Sequence, residues 1–250
     1  MQQAIFTTKE QALKFVAQVV VQRINDFQAS TSKPFVLGLP TGSSPEGVYA
    51  ELVQLYKAGK VSFKNVVTFN MDEYLGLPPQ DSRSYHYFMF DKLFNHVDIP
   101  RENINILNGL AKDPEAECAA YEAKISKYGR INLFLGGVGP EGHLAFNEAG
   151  STRESRTRVV DLVPSTIEAN ARFFDNDKSK VPTKALSVGI STILDNSEEI
   201  IILVFGKNKQ KALSWTLSSK NNSQVPSTYL ADHSNVLLVS DLSAHSQSKL

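Results

Sequence analysis

Short, nearly unbroken apolar runs alternate with helix-period stretches along this chain, and that alternation constrains its fold more than any other feature. The runs are 35–39 (FVLGL), 66–70 (VVTFN), 131–135 (INLFL), 185–190 (ALSVGI), 200–205 (IIILVF) and 236–239 (VLLV). Between them, apolar residues recur at helical spacing. The clearest case is 9–27, where Leu13, Val16, Val20, Ile24 and Phe27 share one face. Further helical patterns fall at 45–58, 84–94, 115–127, 165–171 and 207–218. A strand that is apolar on both faces must be covered on both. The expected fold is therefore an open, mostly parallel twisted sheet with helices on both faces, a Rossmann-like three-layer α/β sandwich. No internal repeat or Pro/Gly-rich linker divides the chain, so residues 1–250 are expected to form a single domain.

In such sheets ligands bind beyond the carboxyl ends of the strands. Three signals lie there. Thr41-Gly42-Ser43-Ser44-Pro45 joins the first apolar run to a helix. Ser44 is expected as its N-cap and Pro45 as its first residue. Free amides and hydroxyls at a helix start suit an anion, although capping alone would also explain them. Asp72 and Glu73 follow VVTFN after a single residue, Met71. A carboxylate there can serve as a general base if burial raises its pKa, or else cap the next segment. The third signal, GGVGPEGHLAFNE over 136–148, places His143 between Glu141 and Glu148 in a glycine-rich loop. A histidine held by carboxylates is suited to moving protons near neutral pH. Cations supply a fourth hint. Lys207, Lys209 and Lys211 crowd the start of a helix, where they oppose the macrodipole unless an anion binds. Arg172 is another candidate cation.

Composition excludes other classes. Lys plus Arg and Asp plus Glu are both 26, which leaves no overall field for nucleic acid or anionic membrane. The single cysteine, Cys118, cannot form an internal disulfide. The N-terminus does not read as a secretory signal, and no apolar window is long enough to span a bilayer. The cytosol is the expected location. The histidines show no metal-ligand spacing and no GxSxG elbow is present. Neither a metal nor a cofactor is expected.

Taken together, LGLPTGSSP, VVTFNMDEYLGL, GGVGPEGHLAFNE, SRTR, ARFFDND and ALSVGI resemble the glucosamine-6-phosphate deaminase family, from about Ile5 to near the C-terminus. The resemblance implies conversion of D-glucosamine 6-phosphate and water to D-fructose 6-phosphate and ammonia. It implies Asp72 as the base between C2 and C1, His143 as the ring-opening group, and Glu148, with Glu141, as its carboxylate support. It also implies Gly42, Ser43, Ser44, Arg172 and Lys209 as the phosphate site, with Lys209 chosen over Lys207 and Lys211. Position 141 is Glu where well-known bacterial members carry Asp, so the arm beside His143 is one methylene longer. The only implied partner is the hexosamine phosphate substrate, and the family includes different assemblies. Two alternatives share the fold: a 6-phosphogluconolactonase and a non-catalytic sugar-phosphate sensor.

Overall fold

The structure, a computed structural model, describes residues 1–218 and 220–245. The elements run β1 (Gln2–Phe6), α1 (Lys9–Phe27), β2 (Phe35–Leu39), α2 (Glu46–Lys57), β3 (Val66–Asn70), β4 (Asp72–Tyr74), α3 (Tyr85–Lys92) and β5 (Ile104–Asn105). They continue with α4 (Pro114–Lys127), β6 (Leu133–Gly137), β7 (Arg158–Asp161), α5 (Pro164–Asn170) and β8 (Lys184–Ser187). The chain closes with α6 (Ile190–Asn196), β9 (Ile200–Val204), α7 (Gln210–Ser218) and β10 (Val236–Asp241).

Seven strands form the main sheet in the order β1-β10-β9-β6-β2-β3-β5, all parallel. Side chains alternate between its faces as strand geometry requires. Phe35, Leu37, Leu39, Leu133, Leu135, Ile201 and Leu203 pack with α1, α2 and α3. Val36, Val67, Phe69, Phe134, Ile200, Ile202 and Val204 pack with α4, α6 and α7. The chain is thus the three-layer α/β sandwich that the apolar runs imply. Its order reverses between β2 and β6: β3 follows β2 on one side, and β9 follows β6 on the other. The carboxyl ends of these four strands border the crevice that this reversal opens.

Several boundaries differ from the sequence reading. The 185–190 run does not join the main sheet. Its first part, β8, is the centre of a separate antiparallel sheet ordered β4-β8-β7, and Ile190 already begins α6. The 131–135 strand shifts to Leu133–Gly137, with Ile131 making only an isolated bridge to Ser197. The small sheet backs a third apolar cluster, with Tyr74, Phe146, Val160, Leu162, Phe174 and Ala185, beside the crevice. No described helix is long and apolar enough to cross a membrane.

Candidate active site

The turn after β2 leaves the sheet through Gly42, at φ +98. Nothing crowds the position where its side chain would be, so backbone conformation alone selects glycine. Ser44 is not the N-cap expected of it. Pro45 occupies that position and no side chain caps α2. The first amides of α2 and the Ser44 hydroxyl are therefore not consumed by capping. Thr41, Gly42, Ser43 and Ser44 all line one cleft of about 780 Å³.

The two acids after β3 divide the alternatives left open for them. Glu73 is taken up by backbone: its Oε1 accepts from the amides of Tyr74 (2.8 Å) and Tyr85 (3.0 Å), and its Oε2 from that of His86 (2.8 Å). It thereby ties β4 to the start of α3. Asp72 is 6% exposed, lines the cleft, and has an Oδ1 without a hydrogen-bond partner. Burial, reinforced by the neighbouring Glu73 charge, pushes its pKa well above the usual carboxylate range. A buried carboxylate with a free lone pair is poised to take a proton from something that enters the cleft.

The loop after β6 carries His143 back over the strand end. Gly139 donates to the His143 carbonyl (2.9 Å), and Gly142 to the Gly139 carbonyl (3.0 Å). The imidazole lies against Gly139 so closely that any side chain there would run into the ring. Further along, Phe146 donates to Ser187 Oγ (3.0 Å), and Asn147 Nδ2 to the carbonyls of Leu144 (2.9 Å) and Val188 (2.8 Å). The loop is thus anchored to the small sheet. His143 Nδ1 lies 3.2 Å from Glu148 Oε2, within ion-pair reach but too oblique for a well-formed hydrogen bond. Burial raises the Glu148 pKa, but its contacts with His143 and Thr166 outweigh this and hold it below the ordinary value. Glu148 itself sits behind His143, whereas Glu141 is exposed at the cleft wall.

The cations approach from two directions. After β9, Gly206 turns at φ +89, and its amide donates to Asp241 Oδ1 (3.0 Å) at the end of β10. The turn places Lys209 in the cleft, while Lys211 lies over the Trp215 ring (4.4 Å). Burial, helped by the Arg172 charge, lowers the Lys209 pKa to about 8. Arg172 follows α5, is exposed, and stacks on Phe173 at 4.7 Å; both line the cleft. The structure therefore brings Gly42, Ser43, Ser44, Asp72, Glu141, His143, Arg172 and Lys209 to one cavity, with Glu148 directly behind His143. Sequence reasoning missed Asp241 and Thr166. Nothing in their local sequence signals a role, because both act on segments far away in the chain. Among the described residues, no cluster of three or more His, Cys, Asp or Glu is placed to hold a metal ion.

The sequence pattern of the family described as glucosamine-6-phosphate isomerases/6-phosphogluconolactonase matches residues 7–239. A glucosamine-6-phosphate isomerase of Candida albicans is 66% identical over 245 residues, covering 98% of this chain and 97% of that one. A glucosamine-6-phosphate deaminase of Glaesserella parasuis is 57% identical over 220 residues, covering 84% and 83%. A solved structure described as a monomeric glucosamine-6-phosphate deaminase superposes with a TM-score of 0.93 at 38% identity, covering 98% of each chain. The 6-phosphogluconolactonase of Leishmania guyanensis shares the fold, with a TM-score of 0.75 at 21% identity and coverage of 100% of this chain and 99% of that one.

Proposed function

Since the chain belongs to the family of glucosamine-6-phosphate isomerases and 6-phosphogluconolactonases, we propose that it is a glucosamine-6-phosphate deaminase, converting D-glucosamine 6-phosphate and water to D-fructose 6-phosphate and ammonia. The observation that carries this reading is the pairing of chemistries in one cleft. A buried, partnerless carboxylate and a carboxylate-supported histidine line the same cavity as two cations and the Thr41–Ser44 turn that leads into α2. Residues 1–250 are taken to act as one catalytic domain. The single buried thiol, Cys118, calls for no oxidising compartment, and we place the reaction in the cytosol.

In this reading Ser43, Ser44, the Gly42 turn, Arg172 and Lys209 grip the phosphate, which lies far from the reacting carbons. Its binding energy then orients C1 and C2 at the buried end. His143 removes the anomeric hydroxyl proton and returns a proton to the ring oxygen, which opens the pyranose to an aldehyde. Glu148 behind it stabilises the imidazolium that forms in between, and Glu141 at the cleft wall completes its carboxylate setting. The aldehyde acidifies the neighbouring C2–H. Asp72 takes that proton and delivers it to C1, while the aldehyde oxygen gains the proton that the C2 amino group gives up, leaving a hydroxymethyl at C1 and an imine at C2. Water adds to the imine and ammonia leaves. The protons come from the substrate itself and the added water, and the side chains only relay them.

A lactonase would use the phosphate grip and a histidine-activated water but would leave Asp72 without a task. A coupled assay decides between them. Ammonia and fructose 6-phosphate should appear in equal amounts from glucosamine 6-phosphate. Hydrolysis of 6-phosphogluconolactone with no ammonia from the amino sugar would contradict the proposal.

A further inference from the structure

We propose that Thr166 is a positioning residue for the acid–base pair, its hydroxyl fixing the Glu148 carboxylate so that the other oxygen faces His143. Thr166 is 6% exposed and Glu148 9%, and the Thr166 hydroxyl donates to Glu148 Oε1 while Oε2 lies 3.2 Å from His143 Nδ1. The assignment rests on the deaminase reading of this cleft.

Three observations support it. The first is the weakness of the contact it would assist. The approach of His143 to Oε2 is oblique, so that contact alone does not fix a side chain with three rotatable bonds. The Thr166 bond supplies a second, firm attachment on the opposite oxygen. The second is a contrast within the molecule. A Ser or Thr hydroxyl late in a helix or just after one can return to the carbonyl four residues earlier. Thr216 does so to Ala212 (2.8 Å), Ser197 to Ile193 (2.7 Å) and Ser218 to Ser214 (2.7 Å). Thr166, in the first turn of α5, instead donates across 18 positions of sequence to the catalytic loop, and Thr192, in the first turn of α6, likewise reaches a carboxylate on another element, Glu122. The third is the role of its segment. Asn170, one turn later on α5, donates to the Tyr74 hydroxyl (2.8 Å), and Arg172 follows in the cleft. One short stretch therefore touches the support of His143, the strand that carries Asp72, and the phosphate end.

A double-mutant cycle on the full chain tests this, with glucosamine 6-phosphate as substrate and ammonia as readout. Thr166→Val keeps the shape but removes the donor. It should lower kcat by about tenfold to a hundredfold, the range for losing a hydrogen bond to a charged group, with little change in KM. Thr166→Ser should restore most of the rate. In a Glu148→Gln background, Thr166→Val should add almost nothing, because the group it orients is already altered. Should the valine variant fail to fold, Thr166→Ala takes its place in the same comparison. An unchanged kcat in a folded variant, a failure of serine to restore it, or a full additive loss on top of Glu148→Gln would overturn the assignment. Wild-type protein that releases no ammonia would instead overturn the deaminase reading, so the two failures are distinct.

Discussion

At the head of the cleft Asp72 is buried, with a carboxylate oxygen that meets no donor; at the tail Arg172 is exposed on a segment outside the main sheet and Lys209 is only half-buried. The head is held at the carboxyl ends of β3 and β6, by β4 of the small sheet, and by a loop pinned to that sheet. The difference separates two tasks. A dry head makes Asp72 more basic and is costly to the folded state. An open tail lets a phosphate reach its cations from water. Grip at the tail can then be used to hold the reacting carbons at the head.

If this division holds, removing a tail cation should weaken binding and spare the chemistry. Arg172→Ala should raise KM by about tenfold to a hundredfold, the scale of a charge-assisted hydrogen bond, with kcat nearly unchanged. Steady-state kinetics on glucosamine 6-phosphate checks this, and an unchanged KM would place the phosphate elsewhere.

The tail should also show a pH signature with two opposite signs. The Lys209 pKa is lowered to about 8 from an ordinary value of 10.5. Phosphate needs the charged form, so KM should rise as pH passes above about 8. In the free protein the charged form is the disfavoured one. Its cost to folding is full below about 8 and is relieved as pH rises towards 10.5, where the unfolded chain still holds the proton. Lys209→Met should flatten both trends in kinetic and thermal-unfolding profiles.

The two adjacent acids sharpen the contrast at smaller scale. Glu73→Gln turns an amide group towards backbone N–H donors and should cost about 1–3 kcal/mol of stability. Asp72→Asn should leave the unliganded protein as stable or more so. A carboxyl with a raised pKa costs nothing while both states hold the proton; its penalty grows as pH rises from the ordinary 3.8 towards the raised value and is full above it. Thermal unfolding of both variants at neutral pH separates them.

Much of this was legible in the chain. The runs 35–39 and 66–70 are strands with those bounds, and 9–27 is a helix with those bounds, because each has an unambiguous apolar period. The main sheet was readable because burial on both faces leaves continuous apolar runs. The small sheet was not. β4 has three residues, Asp-Glu-Tyr, and β7 is only partly buried, so neither carries a readable pattern. β8 resembles a central strand in composition because it too is buried. β1 escaped notice as a half-exposed edge strand. At the site, the strand-end rule pointed to the loops holding Asp72 and His143. The fate of Glu73, the missing cap at Ser44 and the reach of Thr166 depend on contacts between distant segments, which local sequence does not record.

The central claim is that Asp72, at the dry head, moves the C2 proton. The most direct test follows ammonia release and substrate binding together in Asp72→Asn. Turnover should fall by about 10²–10⁴-fold while affinity for glucosamine 6-phosphate stays near that of the unaltered protein. Ammonia release at a near-normal rate would contradict the claim.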